Sequence, residues 1–92
     1  MLIVSLKYIK PKEVLNQYRP QHRAFLQAGF EQGFFLAAGP KKPEGGLIIA
    51  LVSREKMEEL IVQDPYYTHQ LAEFHMTEFD PVLACSEIKS LI

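Results

Sequence analysis

The chain has 92 residues, 48% of them hydrophobic and 23% charged, with a formal net charge of −1. That is the composition of one ordinary globular domain over residues 1–92. A near-neutral chain with no block of like charge is not built to wrap a nucleic-acid backbone, and its apolar runs are too short to span a bilayer.

Met1-Leu2-Ile3-Val4-Ser5-Leu6 lacks a basic leader and a small-residue cleavage site, so it is expected to open the fold as a strand rather than act as a signal peptide. From Leu2 to Ile9 the pattern alternates: Leu2, Val4, Leu6 and Tyr8 share one face, and Ile3, Ser5, Lys7 and Ile9 the other. Pro11 ends this strand. Lys12 to Tyr18 reads as a short helical turn, and Pro20 suits the first position of a longer helix. There Tyr18, His22, Phe25, Leu26, Gly29 and Phe30 form one continuous stripe, and Gly33 suits the helix end.

Phe34 to Ala38 is a second predicted strand, and Leu47 to Val52 a third. The Gly- and Pro-rich segment Gly39 to Gly46 joins them as a hairpin. Ser53 is placed to cap a second helix, with Glu55 in its first turn and Met57, Leu60, Ile61 and Asp64 along its inner face. Asp64-Pro65 begins a short turn through His69. Ala72 to Val82 is the last predicted strand, and Leu83 to Ile92 forms a tail carrying Ile88, Leu91 and Ile92.

The order is β-α-β-β-α-β, the ferredoxin-like α+β arrangement of an antiparallel sheet with its helices on one face. The helices can cover only one sheet face, yet the second and third strands are apolar on both. A domain this small also buries only ~60–65% of its unfolded surface. Packing two sheets face to face answers both problems, so a homodimer with a closed, barrel-like shared core is expected, with the apolar tail able to reach the partner. The single cysteine, Cys85, cannot form an internal disulfide and has no adjacent basic residue to activate it. The expected location is the cytoplasm.

Two polar residues occupy apolar positions: His22 on the first helical stripe and Asp64 at the end of the second. An imidazole and a carboxylate brought together are the minimal equipment for moving a proton. Each also has a purely structural reading. On sequence alone a lone histidine on an apolar stripe is more often a core histidine bonded to a carbonyl, and Asp64 before Pro65 is explained equally by an N-cap. Capping uses one carboxylate oxygen and leaves the other free for an imidazole. Ser5 and Lys7, on the sheet face away from the helices, are candidates to line a dimer-core cavity, and Tyr66 and Tyr67 to lend a pocket hydroxyl. Lys41 and Lys42 are candidates for a basic rim. His69 and His75 lack metal-ligand spacing with each other and with His22. No dinucleotide fingerprint or P-loop is present.

Met1-Leu2-Ile3-Val4-Ser5-Leu6, His22-Arg23-Ala24-Phe25-Leu26, Gly39-Pro40, Asp64-Pro65-Tyr66 and Thr77-Glu78-Phe79, in that order, resemble the YCII (YciI-like) family of small bacterial proteins. The resemblance implies a dimeric α/β barrel related to muconolactone-isomerase-like proteins. It also implies an active site on a His-Asp pair that maps onto His22 and Asp64, and relatives acting on ring-opened or chlorinated aromatic compounds. This chain departs from the family in carrying two tyrosines, Tyr66 and Tyr67, after Asp64-Pro65, where a phenylalanine is common.

The leading expectation is thus a cofactor-independent, metal-free enzyme performing proton transfer, as an isomerase or lyase, on a small, aromatic-derived acid. His22 would be the base and Asp64 its orienter. The alternative is a non-catalytic ligand-binding or regulatory dimer using the same pocket. A pocket open to the imidazole favours the first, and a sealed pair the second.

Overall fold

A computed structural model describes all residues 1–92. The elements in chain order are β1 (Leu2–Tyr8), α1 (Lys12–Glu31), β2 (Phe35–Pro40), β3 (Gly46–Ala50), α2 (Arg54–Leu60), a 3-10 turn (Ile61–Gln63), α3 (Pro65–Thr68), β4 (Ala72–Glu78) and α4 (Ser86–Lys89). The four strands form one antiparallel sheet in the order β2-β3-β1-β4. This is the ferredoxin-like α+β architecture that the order of sequence patterns implies.

The alternation in β1 decides which face is core. Leu2, Val4 and Leu6 are buried, as are Ile48 and Ala50 on β3, while Ile3, Leu47 and Ile49 on the other face are only half-buried. The register pairs Val4 with Ile48 on one side and with Met76 on the other, so the inward rows line up across three strands. Met57, Ile61, Tyr66 and Leu15 close this core from the helical side.

Pro20 does not begin a helix. The turn at Lys12 and the helix after Pro20 are one 20-residue helix with Pro20 inside it. A proline there lacks the N–H that would bond the carbonyl of Asn16. Both Asn16 and Pro20 are exposed, so water can solvate the freed carbonyl and the packed face is undisturbed.

The C-terminal end of α1 follows the sequence reading. Gly33, at φ 77°, continues into Phe34, whose N–H donates to the Gly29 carbonyl at 2.8 Å while that of Gly33 donates to Phe30 at 3.0 Å. This is the glycine-terminated Schellman arrangement. It returns the chain directly into β2, where the Phe35 ring packs on Gly29 so closely that a Cβ there would come within 2.1 Å of it.

Two strands are shorter than their patterns. β3 stops at Ala50, because Leu51 turns to bond the Phe34 carbonyl at 2.8 Å before Ser53 caps α2. β4 stops at Glu78, which pairs with Leu2 at the start of β1. The Met1 and Phe79 backbones exchange the last bonds at 2.8 and 2.9 Å. The tail then contains α4, with Val82 and Leu83 almost fully exposed.

Candidate active site

α1 and the α2–α3 corner cross the same face of the sheet, and this places His22 beside Asp64. His22 Nδ1 lies 2.9 Å from Asp64 Oδ1 and 3.0 Å from Oδ2, across 42 residues of sequence. Asp64 is completely buried. It is also the N-cap of α3, with Pro65 at the first helical position, and its Oδ1 accepts the Tyr66 N–H at 3.0 Å. One carboxylate thus both caps a helix and holds an imidazole. Since an ionised carboxylate only accepts, Nδ1 is the donor and carries the hydrogen. Nε2 has no hydrogen-bond partner in the protein.

Tyr66 fixes the plane of the imidazole. The two rings are parallel within 3°, with centroids 3.9 Å apart. The Tyr66 hydroxyl donates to the Leu15 carbonyl at 3.3 Å, tying α3 back to α1. Tyr18 on α1 packs against His69 at the end of α3, with ring centroids 4.5 Å apart, and fastens the same two elements at a second point.

His22 is not sealed. Its side chain keeps 13% of its exposure, and it lines a cleft of about 530 Å³ between α1 and the β2–β3 end of the sheet. Leu6 and Tyr8 of β1, Gly46 of β3 and Pro40 of β2 form the sheet wall, and Leu26 and Phe30 of α1 the apolar wall opposite. Arg19 and Arg23, flanking His22 on α1, supply positive charge at the rim. The volume suits a small ring compound.

Of the residues singled out in the sequence, His22, Asp64 and Tyr66 come together. Ser5, Lys7 and Tyr67 do not join them. Strand alternation turns Ser5 and Lys7 to the opposite sheet face, where Ser5 accepts a hydrogen bond from Lys41 Nζ at 2.7 Å. Lys7 is exposed, and Tyr67 is an exposed ring packed edge-on against Phe74 at 5.6 Å. Lys41 and Lys42 are not the basic rim either. Lys41 is occupied on the far face, and the arginines of α1 take that place. No three His, Cys, Asp or Glu side chains converge as a metal-ion cluster.

Sequence reasoning missed Tyr8, Arg19 and Arg23. Tyr8 reads as core because it shares the face of Leu2, Val4 and Leu6, but it lies at the end of β1, is only half-buried and lines the cleft. It meets Tyr66 edge-on, with centroids 6.0 Å apart. Burial raises its phenol above the ordinary value of 10.0; Tyr66 adds to the shift and Arg19 opposes it. Arg19 and Arg23, exposed on their helix, carry no sequence signal that distinguishes them from a solvated face.

No helix of the protein is long and apolar enough to cross a membrane. None of the curated proteins matches this sequence. Among solved structures, one similar fold is 5-chloro-2-hydroxyhydroquinone dehydrochlorinase (TftG) from Burkholderia phenoliruptrix AC1100, in complex with 2,5-dihydroxybenzoquinone. It superposes with a TM-score of 0.70 at 16% sequence identity, covering 87% of this chain and 94% of that one. The model of the YCII-related domain matches residues 1–80, and this chain therefore belongs to the YCII family.

Proposed function

We propose that this protein is a small enzyme that transfers protons on a small, aromatic-derived acid, with His22 as general base and acid and Asp64 as its orienting partner. The observation that supports this most is the single imidazole held at Nδ1 by a buried carboxylate at 2.9 Å while its ring lines an open cleft. A pair serving only to satisfy a core histidine has no need of that cleft.

In this mechanism Asp64 selects the tautomer with hydrogen on Nδ1, leaving the Nε2 lone pair to take a proton from the substrate. The carboxylate then balances the imidazolium. Returning the proton at a second position gives isomerisation. Keeping it while a leaving group departs with its electron pair gives elimination. Tyr66, stacked on the imidazole, holds the ring in place. The dehydrochlorinase of similar fold binds a dihydroxybenzoquinone, which supports a ring-derived substrate for this cleft.

The same reading pairs two copies through the sheet face carrying Ile3, Leu47 and Ile49, which no helix covers. Ser5 and Lys7 then face the shared core. A cytoplasmic setting suits the free, exposed Cys85. Light scattering on a micromolar sample is expected to give the mass of two chains, and a stable monomer speaks against this pairing.

Turnover tests the dyad. In a panel of small aromatic acids, proton exchange with D2O followed by proton NMR identifies a substrate. His22→Gln is expected to slow it by ~10²–10⁴-fold, the usual worth of general acid–base catalysis. Asp64→Asn keeps a good cap but is expected to lose activity, because an amide cannot compensate imidazolium as a carboxylate does. Full activity in Asp64→Asn makes Asp64 a cap alone, and full activity in His22→Gln removes the base.

A further inference from the structure

Tyr8 lines the cleft but has no part in the proposed dyad. Its ring is half-buried against Tyr66, yet its hydroxyl has no hydrogen-bond partner in the protein. The hydroxyl lies over Gly46, which also lines the cleft: a Cβ built there would approach it at 3.5 Å. Any side chain larger than a methyl at residue 46 would fill the space in front of it. Arg19 lines the same cleft from α1.

We propose that Tyr8 and Arg19 together form the anion-recognition end of the cleft, binding the carboxylate of an aromatic acid and turning its ring towards His22. The inference rests on the reading of His22 as the base and adds the residues that select the substrate. A phenol and a guanidinium divide the work chemically. The phenol donates one directional hydrogen bond, and the guanidinium supplies charge that a carboxylate can accept in a fork. A carboxylate accepts from both at once and compensates the guanidinium charge, whereas a neutral amide offers a single acceptor oxygen and no charge. Burial raises the phenol above its ordinary value, so at neutral pH it is protonated and a donor while a carboxylate is ionised.

Arg23, one turn further along α1, lines the same cleft and adds to its positive charge. Lys12, exposed at the start of α1 and outside the cleft lining, serves as the internal control.

The test uses benzoate and benzamide as probes, with binding to the whole protein measured by NMR titration. Wild type is expected to bind benzoate at least tenfold more tightly than benzamide. Tyr8→Phe and Arg19→Gln are each expected to weaken benzoate about tenfold, the usual worth of a hydrogen bond to a charged group. Benzamide should then change less than benzoate in Arg19→Gln. Lys12→Gln should leave the preference intact. A general loss of folding would weaken both probes and change the amide spectrum, so the benzoate-to-benzamide ratio isolates recognition. The proposal is overturned if benzoate does not bind, if it binds no better than benzamide, if Arg19→Gln keeps the wild-type ratio, or if Tyr8→Phe binds benzoate as tightly as wild type. His22→Gln separates this inference from the catalytic reading. It should retain the benzoate preference even though turnover is lost. If it retains turnover while the Tyr8 and Arg19 variants lose the preference, recognition stands and the base is wrong.

Discussion

At the scale of single residues, the site depends on how few groups do several things. Asp64 caps α3 through Oδ1 and holds His22 through both oxygens, all at zero exposure. A buried carboxylate left unpaired is costly, so removing His22 is a stability change as well as a chemical one. His22→Gln keeps an amide that can donate to Asp64 and is for that reason the informative substitution. Tyr8 has its own signature in alkali. A phenol whose pKa rises on folding binds its proton more tightly in the folded state. Its stabilising contribution is complete below the unfolded value near 10.0 and is lost as pH rises through the higher folded value. Denaturant unfolding from pH 9 to 11 is therefore expected to show a shallower fall in stability for Tyr8→Phe than for wild type. Equal slopes would mean that Tyr8 titrates as freely as an exposed tyrosine.

Secondary-structure elements were legible where local chemistry decides them. Ser53 and Asp64-Pro65 mark helix starts because their side-chain oxygens accept N–H groups of the first turn, and Gly33 marks a helix end because the turn needs a positive φ. Pro20 misleads because proline is common at helix starts, yet an exposed helix face tolerates it when packing on the other face carries the element. A close packing joint lies between α1 and β2. Gly29 faces the Phe35 ring at a distance no Cβ can occupy, and Phe30 and Phe25 pack around the same ring at 5.9 and 5.7 Å. Gly29→Ala gains helix propensity but must displace Phe35. A net loss of ~1–3 kcal/mol is expected, the range for overpacked cores, read as a lowered denaturation midpoint. An unchanged or raised midpoint would show that the Phe35 ring yields freely.

For the whole molecule, the alternation in β1 and the strand order contained the architecture, and with it the meeting of His22 and Asp64: both lie on inward faces of elements that cover the same side of one sheet. The cleft itself was not legible. It is lined by residues of α1, β1, β2, β3 and α3 that are far apart in sequence, so its lining has no residue pattern of its own and Arg19 and Arg23 read as ordinary surface. The catalytic account reduces to one atomic statement: in the neutral imidazole of His22, hydrogen resides on Nδ1 and Nε2 is bare. Nitrogen-15 NMR of the imidazole reads this without any substrate. The account predicts a pyridine-type signal for Nε2 and a protonated Nδ1 in wild type, with the preference lost in Asp64→Asn. A protonated Nε2 in wild type would contradict it, because that nitrogen would then be a donor and not a base.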